Sequence, residues 1–439
     1  VARAMGMAMR RIQVGSALSA FGLGFTVPFL YVYVAQVRDL GSGAAGIVLA
    51  AFAMAALVVL PFVGRTIDRR GPLPVLTGAA VLASVGAVSL GLSTNEPAAI
   101  LSAAVLGAGT AVMQPALATL VVWCSTPVTR TRAFATQFFL QNLGLGIGGL
   151  IGGQIVDEDK PSSFVLLFSI EAVMFLVLAA IARGVRLPVS PTIQEAIPKD
   201  AASLAADSAR GGMRTLLRHG AMVQLSVLGF VIFFACYGQF ESGLSAYGVE
   251  AAGISPSTLG IALAANTAMI VVAQFAVLKL VERRRRSRVI ALVGLVWAVA
   301  WAAAGFAGLG HGSQAMATAA FISTYALFGL GESLLAPTVA PLVADLAPAG
   351  MVGQYNSVFA LVKQLALAVG PAVGGPMGAT LHGPYILTFL LFSLGITVLA
   401  LRMGRRLTHA QDRPYAARSR VVAGGTPSTG ASEAASAGV

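Results

Sequence analysis

Four ionisable side chains, Glu171, Glu241, Glu332 and Lys363, stand inside runs that are otherwise apolar. An ionisable group in hydrocarbon costs about 2.5 to 3.5 kcal/mol on insertion scales, so each needs a reason to be there. A carboxylate closed into an apolar cavity favours its neutral acid form, whereas the same group opened to water favours the anion. It can therefore take a proton on one side of a barrier and give it up on the other, which is the chemistry of a proton-driven carrier. Glu332 is the foremost of these by depth; Glu241, with Tyr237 and Gln239 nearby, suits a cationic substrate; Lys363 suits a partner that either acid holds and then releases. A packed ion pair or snorkelling to the interface is the purely structural use of the same residues. Neutral polar groups in similar runs, Gln114, Gln137, Gln141, Asn142, Asn266 and Gln364, are expected to line the same cavity.

The elements that must position these residues follow from composition. Hydrophobic residues make up 57% of the chain and charged ones only 10%, against roughly a quarter charged in soluble domains. The apolar residues form long runs, and a spanning helix needs about 20 of them. Runs near 12–36, 43–63, 73–93, 97–123, 134–156, 162–183, 221–247, 256–280, 289–309, 315–344, 354–379 and 384–403 predict about twelve membrane helices and an all-α fold.

The net charge of +12 would suggest nucleic acid if the chain were soluble, but its placement argues otherwise. Arg10 and Arg11, Arg69 and Arg70, Arg130 and Arg132, Arg183 and Arg186, Arg214 and Arg218, Arg283 to Arg286, and Arg402 to Arg406 fall in alternate loops. The positive-inside rule then places both termini in the cytoplasm and makes the number of spans even, and the alanine- and glycine-rich composition, that of a high-GC bacterium, suggests a multi-pass protein of the plasma membrane. Cys124 and Cys236 form no disulfide framework, and the four histidines have no paired spacing for a metal site. There is no phosphate-binding Gly-x-x-x-x-Gly-Lys-Ser/Thr loop, so no nucleotide or other cofactor is expected and energy is assigned to an ion gradient. Gly144-x-Gly146-x-x-Gly149 matches a dinucleotide fingerprint in letters only, because it lies within an apolar span and not after a strand.

The chain repeats. An offset of 214 lays Gly46-Ile47-Val48-Leu49-Ala50-Ala51 on Gly260-Ile261-Ala262-Leu263-Ala264-Ala265, and Asp68-Arg69-Arg70 on Glu282-Arg283-Arg284. An offset of 222 lays Gly107, Gly109 and Pro115 on Gly329, Gly331 and Pro337, and Gln141-Asn142 on Lys363-Gln364. Residues 1–186 and 220–406 are thus expected to be two six-helix bundles, joined by a cytoplasmic linker over 187–219 and followed by a disordered tail over 407–439. Matching polar positions in both halves point to a site between them near the midplane.

Two six-helix halves in parallel repeat resemble the major facilitator superfamily. Gly64-Arg65-Thr66-Ile67-Asp68-Arg69-Arg70-Gly71 looks like the family's loop signature between spans two and three, although Pro72 and Leu73 stand where basic residues are usual. Gly144, Gly148, Gly152 and Gly153 in span five resemble the antiporter glycine motif, with Gly149 in place of its proline. The copy in span eleven, Gly370-Pro371-Ala372-Val373-Gly374-Gly375, keeps that proline. The arginine expected ahead of Gly107 is replaced by Ala103. The resemblance implies a monomeric, lipid-embedded drug:proton antiporter exporting a small amphipathic compound by alternating access, with Gly64, Asp68, Arg69, Arg70 and Gly71 stabilising one access state. An importing symporter or uniporter, or a non-transporting receptor or scaffold, is the alternative the residues leave open.

Overall fold

The computed structural model describes residues 2–26, 29–157, 159–187, 213–240, 242–309 and 313–414. Among them, eleven helices are long and apolar enough to cross a membrane. A twelfth crossing element is interrupted. It begins as α1 (Ala2–Gly24) and resumes as the short α2 (Leu30–Val32), which runs into a π-helical turn over Tyr33–Val37. Proline at position 28 supplies no N–H to continue a helix and disfavours helical geometry before it.

The rest of the first half is α3 (Gly41–Arg70), α4 (Pro72–Leu92), α5 (Glu96–Trp123), α6 (Arg130–Ile155) and α7 (Pro161–Gly184). The second half opens with the short α8 (Met213–Arg218) and then an interrupted span: α9 (Gly220–Ala235), a 3-10 turn (Tyr237–Gln239) and α10 (Gly243–Glu250). It continues through α11 (Pro256–Val281), α12 (Arg286–Gly308), α13 (Gln314–Leu346), α14 (Val352–Thr380) and α15 (His382–Gly404). The breaks in the first and seventh spans fall at equivalent places under the 214-residue offset, so the repeat extends to an irregularity that hydropathy does not show.

Local sequence explains the helix ends. Asn95, Ser255 and Ser313 accept hydrogen bonds from the backbone N–H groups of Ala98 (3.0 Å), Thr258 (3.3 Å) and Met316 (3.3 Å), capping α5, α11 and α13. Gly71 separates α3 from α4 with φ +83°, a conformation a residue with Cβ adopts only under strain, and Pro72 starts α4 with its φ already helical.

Two main apolar cores form among the described residues. One draws on residues 8–185 and packs mostly alanine and leucine around Tyr33, Phe164, Phe168 and Phe175. The other draws on residues 216–403 and is built around Trp297, Trp301, Phe328, Tyr385 and Phe389. Ala103 belongs to the first core and is fully buried, so an arginine there would displace packing helices and not simply fill space. The halves meet where α3 packs on α14 and α6 packs on α11. These contacts exchange under the repeat, since α3 corresponds to α11 and α6 to α14. Phe139 of α6 meets Phe275 of α11 with ring centroids 5.3 Å apart.

The glycine motifs serve the interrupted spans. Any Cβ on Gly144 or Gly148 would run into the α1 backbone at Ala17 or Phe21, and one on Gly152 would reach the Phe29 and Phe25 rings. In α14, Gly370 faces Gly238, Gly374 faces the Gln239 amide and Gly378 faces Gly243. The contacting positions are spaced by four, which puts them on one helix face. Gly375 has nothing within 4 Å and Gly153 only the tip of Phe29, while Pro371 is exposed. Gly374→Ala is therefore expected to destabilise the protein by about 1–3 kcal/mol through overpacking, whereas Gly375→Ala stays within about 0.5 kcal/mol. Thermal unfolding of the two variants in the same detergent checks the difference.

The tail expected to be disordered from 407 is ordered in its first part. Residues 409–412 form α16 (His409–Asp412), and Thr408 and Gln411 make a capping box. Asp412 accepts hydrogen bonds from the backbone N–H (2.9 Å) and hydroxyl (3.1 Å) of Ser287 at the start of α12. Composition showed the polarity of this stretch but not that a helix N-terminus would hold its one buried carboxylate. Residues 415–439, and most of the linker, 188–212, lie outside the described residues.

Candidate functional site

Near the middle of α13, Gly329 and Gly331 clear the way for neighbouring helices. A Cβ on the first would strike the Asn266 backbone, and one on the second would strike the Trp297 indole. This close approach sets Glu332 beside α11. Asn266 Nδ2 donates to Glu332 Oε1 at 2.7 Å and also reaches the Tyr325 carbonyl at 3.3 Å. Tyr237, from the break in the seventh span, also interacts with the Glu332 side chain. Lys363 of α14 interacts electrostatically with Glu332, and its Nζ lies 5.1 Å from the centroid of the Phe233 ring. Glu332 is 3% exposed and Asn266 7%. Four helical elements thus bring Tyr237, Asn266, Glu332 and Lys363 together around one buried carboxylate.

The other polar positions go elsewhere. Glu171 is fully buried in the first half, where the Thr26 hydroxyl donates to its Oε2 and its Oε1 has no partner; it stands between α7 and the end of α1, away from the Glu332 cluster. Gln239 is a packing residue. Its amide donates to the carbonyls of Phe234 (3.0 Å) and Gly370 (3.3 Å), and its oxygen accepts from Tyr385. Gln141 donates to Ser16 at 2.8 Å and Asn142 to the Phe138 carbonyl of its own helix at 2.9 Å. Gln137 is buried with Oε1 unpartnered, Gln364 is half-buried and Gln114 is exposed. Glu241 lies outside the described residues.

A second constellation occupies the end that carries the arginines. Asp68 Oδ1 accepts the Gly353 N–H at 2.6 Å and Oδ2 accepts the Gln354 N–H at 3.0 Å. It therefore caps α14 of the opposite half, where an anion satisfies orphan donors and opposes the helix dipole. The helix that Asp68 caps lies 285 residues away in the chain. Gly64 permits this contact, since a Cβ there would stand 2.5 Å from Gln354 Cα. Arg69 and Arg70 are exposed.

Beside this cap, Asp345 at the end of α13 accepts from both Arg130 of α6 and Arg286 of α12, the latter at 2.6 Å. Arg286, 2% exposed, also reaches Thr131 and the Gln411 carbonyl. Arg132 pairs with Glu282 at 3.5 Å, and Asn356 donates to Thr119 at 3.3 Å. Every hydrogen bond and ion pair that joins the halves among the described residues lies at this basic end. At the other end, the repeat-equivalent Gly46 and Gly260 have no atom within 4 Å of a would-be Cβ. The protein is closed at its basic end. Charge placement alone registered Arg130 and Arg286 as loop cations; that Asp345 joins them is a tertiary fact without a local signature.

Asp345→Asn is expected to destabilise this state strongly. Removing one partner from a buried ion cluster leaves guanidinium charge uncompensated at a cost of about 3–5 kcal/mol. Arg132→Gln, at an exposed pair, is worth less than about 1 kcal/mol. Thermal unfolding checks the contrast.

Two helical bundles that meet along pseudo-symmetric helices, clasp at one end and hold a buried carboxylate between the ends define a solute carrier and not an enzyme. The sequence agrees. The chain matches the Major Facilitator Superfamily model over residues 13–371 and again over 245–430, and it belongs to that family. It is 25% identical over 408 residues to the Bacillus subtilis uncharacterized MFS-type transporter YttB, covering 90% of this chain and 95% of the relative. It is 23% identical over 386 residues to Multidrug resistance protein 2 of the same organism, covering 86% and 91% of the two chains. The crystal structure of the transporter FucP in the outward conformation superposes with a TM-score of 0.73 at 15% identity, covering 91% of this chain and 99% of the other, which supports the fold.

Proposed function

We propose that the protein is a proton-coupled exporter of small amphipathic compounds, working as a monomer in the plasma membrane with both termini in the cytoplasm. The observation that carries this reading is Glu332: a carboxylate within the membrane span, hydrogen-bonded by Asn266 and beside Tyr237, in a protein closed at its basic end. By the positive-inside rule that end faces the cytoplasm, so the state described opens outward. A proton entering from outside neutralises Glu332 and is carried as the halves rock; water entering from the cytoplasm then favours its release. Substrate binding to the ionised site completes the exchange. The likeness to a multidrug resistance protein supports export, and the proton gradient is the energy source, with no cofactor.

Everted membrane vesicles energised by respiration test the direction. The expected result is uptake of a lipophilic dye such as ethidium into the vesicles, collapsed by nigericin. Dye uptake into right-side-out cells that rises with expression would reverse the assigned direction.

A further inference from the structure

The charges of the midplane cluster specify more than a proton site. Lys363 and Gln141 occupy the same position in the two halves under the 222-residue offset, yet their surroundings differ. Gln141 is satisfied by Ser16 at 2.8 Å. Lys363 has only the Phe233 ring, 5.1 Å from its Nζ, and the field of Glu332; among the described residues no hydrogen bond or salt-bridge contact reaches its ammonium group. Lys363 is half-buried here, but once the halves close over it a cation–ring contact of about 0.5–2 kcal/mol falls short of the roughly 2.5–3.5 kcal/mol that an ammonium costs away from water. The ring alone does not account for a lysine here.

Glu332 does not close that gap by contact: its Oε1 accepts from Asn266, and among the described residues no ion pair joins it to Lys363. The site therefore presents one fixed positive and one fixed negative group that are not paired with each other. A purely cationic substrate would meet Glu332 and leave Lys363 facing added positive charge. A purely anionic one would do the reverse. Either puts a net unit charge into a low-dielectric space, where unscreened charge is most costly. A molecule with both an anionic and a cationic group adds no net charge and satisfies both side chains.

We infer that the substrate is an amphipathic zwitterion, its anionic group received by Lys363, its cationic group by Glu332, and its apolar body by the aromatic wall of Phe233 and Tyr237. Those two rings lie 5.1 Å apart, and Phe240 continues the wall 5.8 Å from Tyr237. The inference rests on the transport reading above and is consistent with antiport, because a proton and the cationic group of the substrate compete for the same carboxylate.

Binding to the purified full-length protein in lipid nanodiscs tests it, with rhodamine B, a zwitterion, its methyl ester, a cation of the same shape, and 8-anilino-1-naphthalenesulfonate, an anion. Fluorescence anisotropy titrations at pH 8 are expected to show rhodamine B binding about tenfold tighter than its ester, the effect of one charge-assisted hydrogen bond. Lys363→Gln should erase that difference while the ester still binds, and Lys363→Arg should keep it. The anion should bind more weakly than rhodamine B. Equal affinity for rhodamine B and its ester, no binding of rhodamine B, or a preference that survives Lys363→Gln would overturn the inference. The two readings fail separately: the zwitterion preference is read at equilibrium without a gradient, so flux that ignores the proton gradient would remove proton coupling and leave the preference standing.

Discussion

Glu332→Gln is expected to abolish uphill transport while substrate exchange persists at saturating substrate, with affinity lowered by loss of the carboxylate. Glutamine preserves the volume, and its carbonyl still accepts from Asn266 Nδ2, which lies 2.7 Å from Glu332 Oε1 in the wild type. It cannot gain or lose a proton. Proton-transfer groups typically contribute a factor of a hundred or more to the step they serve, so gradient-driven flux should fall on the order of a hundredfold. Counterflow, in which labelled substrate exchanges with unlabelled substrate at equal pH on both sides, needs only the alternation of the halves and should persist. Proteoliposomes measure both in one preparation. Equal loss of both at saturating substrate would mean that Glu332 serves folding and not coupling. Glu171→Gln provides the contrast: that carboxylate is tied to Thr26 outside the cluster, so the change should act on stability before it acts on coupling.

Asp68→Ala is expected to open the basic end. Asp68 makes two hydrogen bonds to backbone N–H groups at the start of α14. A hydrogen bond to a charged group is worth about 1.5–3 kcal/mol, and a buried donor left without a partner costs more. A loss of about 2 kcal/mol in the closed state alone shifts the ratio of closed to open molecules roughly thirtyfold. Asn, which keeps one acceptor, should shift it less. Spin labels at Arg70→Cys and Arg284→Cys, both exposed and equivalent under the repeat, report the separation of the halves at this end. The two native cysteines are buried and replaceable by alanine for the measurement. The wild type should give a short distance and Asp68→Ala a larger population at long distance. Unchanged distances would show that the Asp345 cluster holds the end closed without Asp68.

Much of this architecture is legible in the sequence because hydrocarbon imposes a long, one-dimensional constraint. Runs of about 20 apolar residues locate helices whatever their partners, and glycines four apart reveal a packing face. The breaks near Pro28 and around Cys236 are not legible in that way, since a proline or polar residue within a span reads equally as a kink. The chemistry was partly legible. Glu332 stands out because it is costly, and Asn266 and Tyr237 are polar residues in the same kind of run. What joined them was the absence of side chains at Gly329 and Gly331, which acts only in three dimensions. Gln239 illustrates the opposite case: as a polar residue in a span it suits a cavity, yet the glycine face of α14 receives it as a packing amide. Partners of Asp68 and Arg130 lie more than two hundred residues away in the chain. Local spacing carries no record of them.

Proton-coupled exchange requires that proton movement and substrate movement be one event. Liposomes containing the purified protein and the pH-sensitive dye pyranine, with valinomycin and potassium to hold the membrane potential at zero, measure this directly. Adding transported substrate to one side at equal initial pH should move protons in the opposite direction, at a rate that saturates with substrate and vanishes in Glu332→Gln. Substrate flux in the wild type without any accompanying pH change would contradict proton-coupled exchange through Glu332.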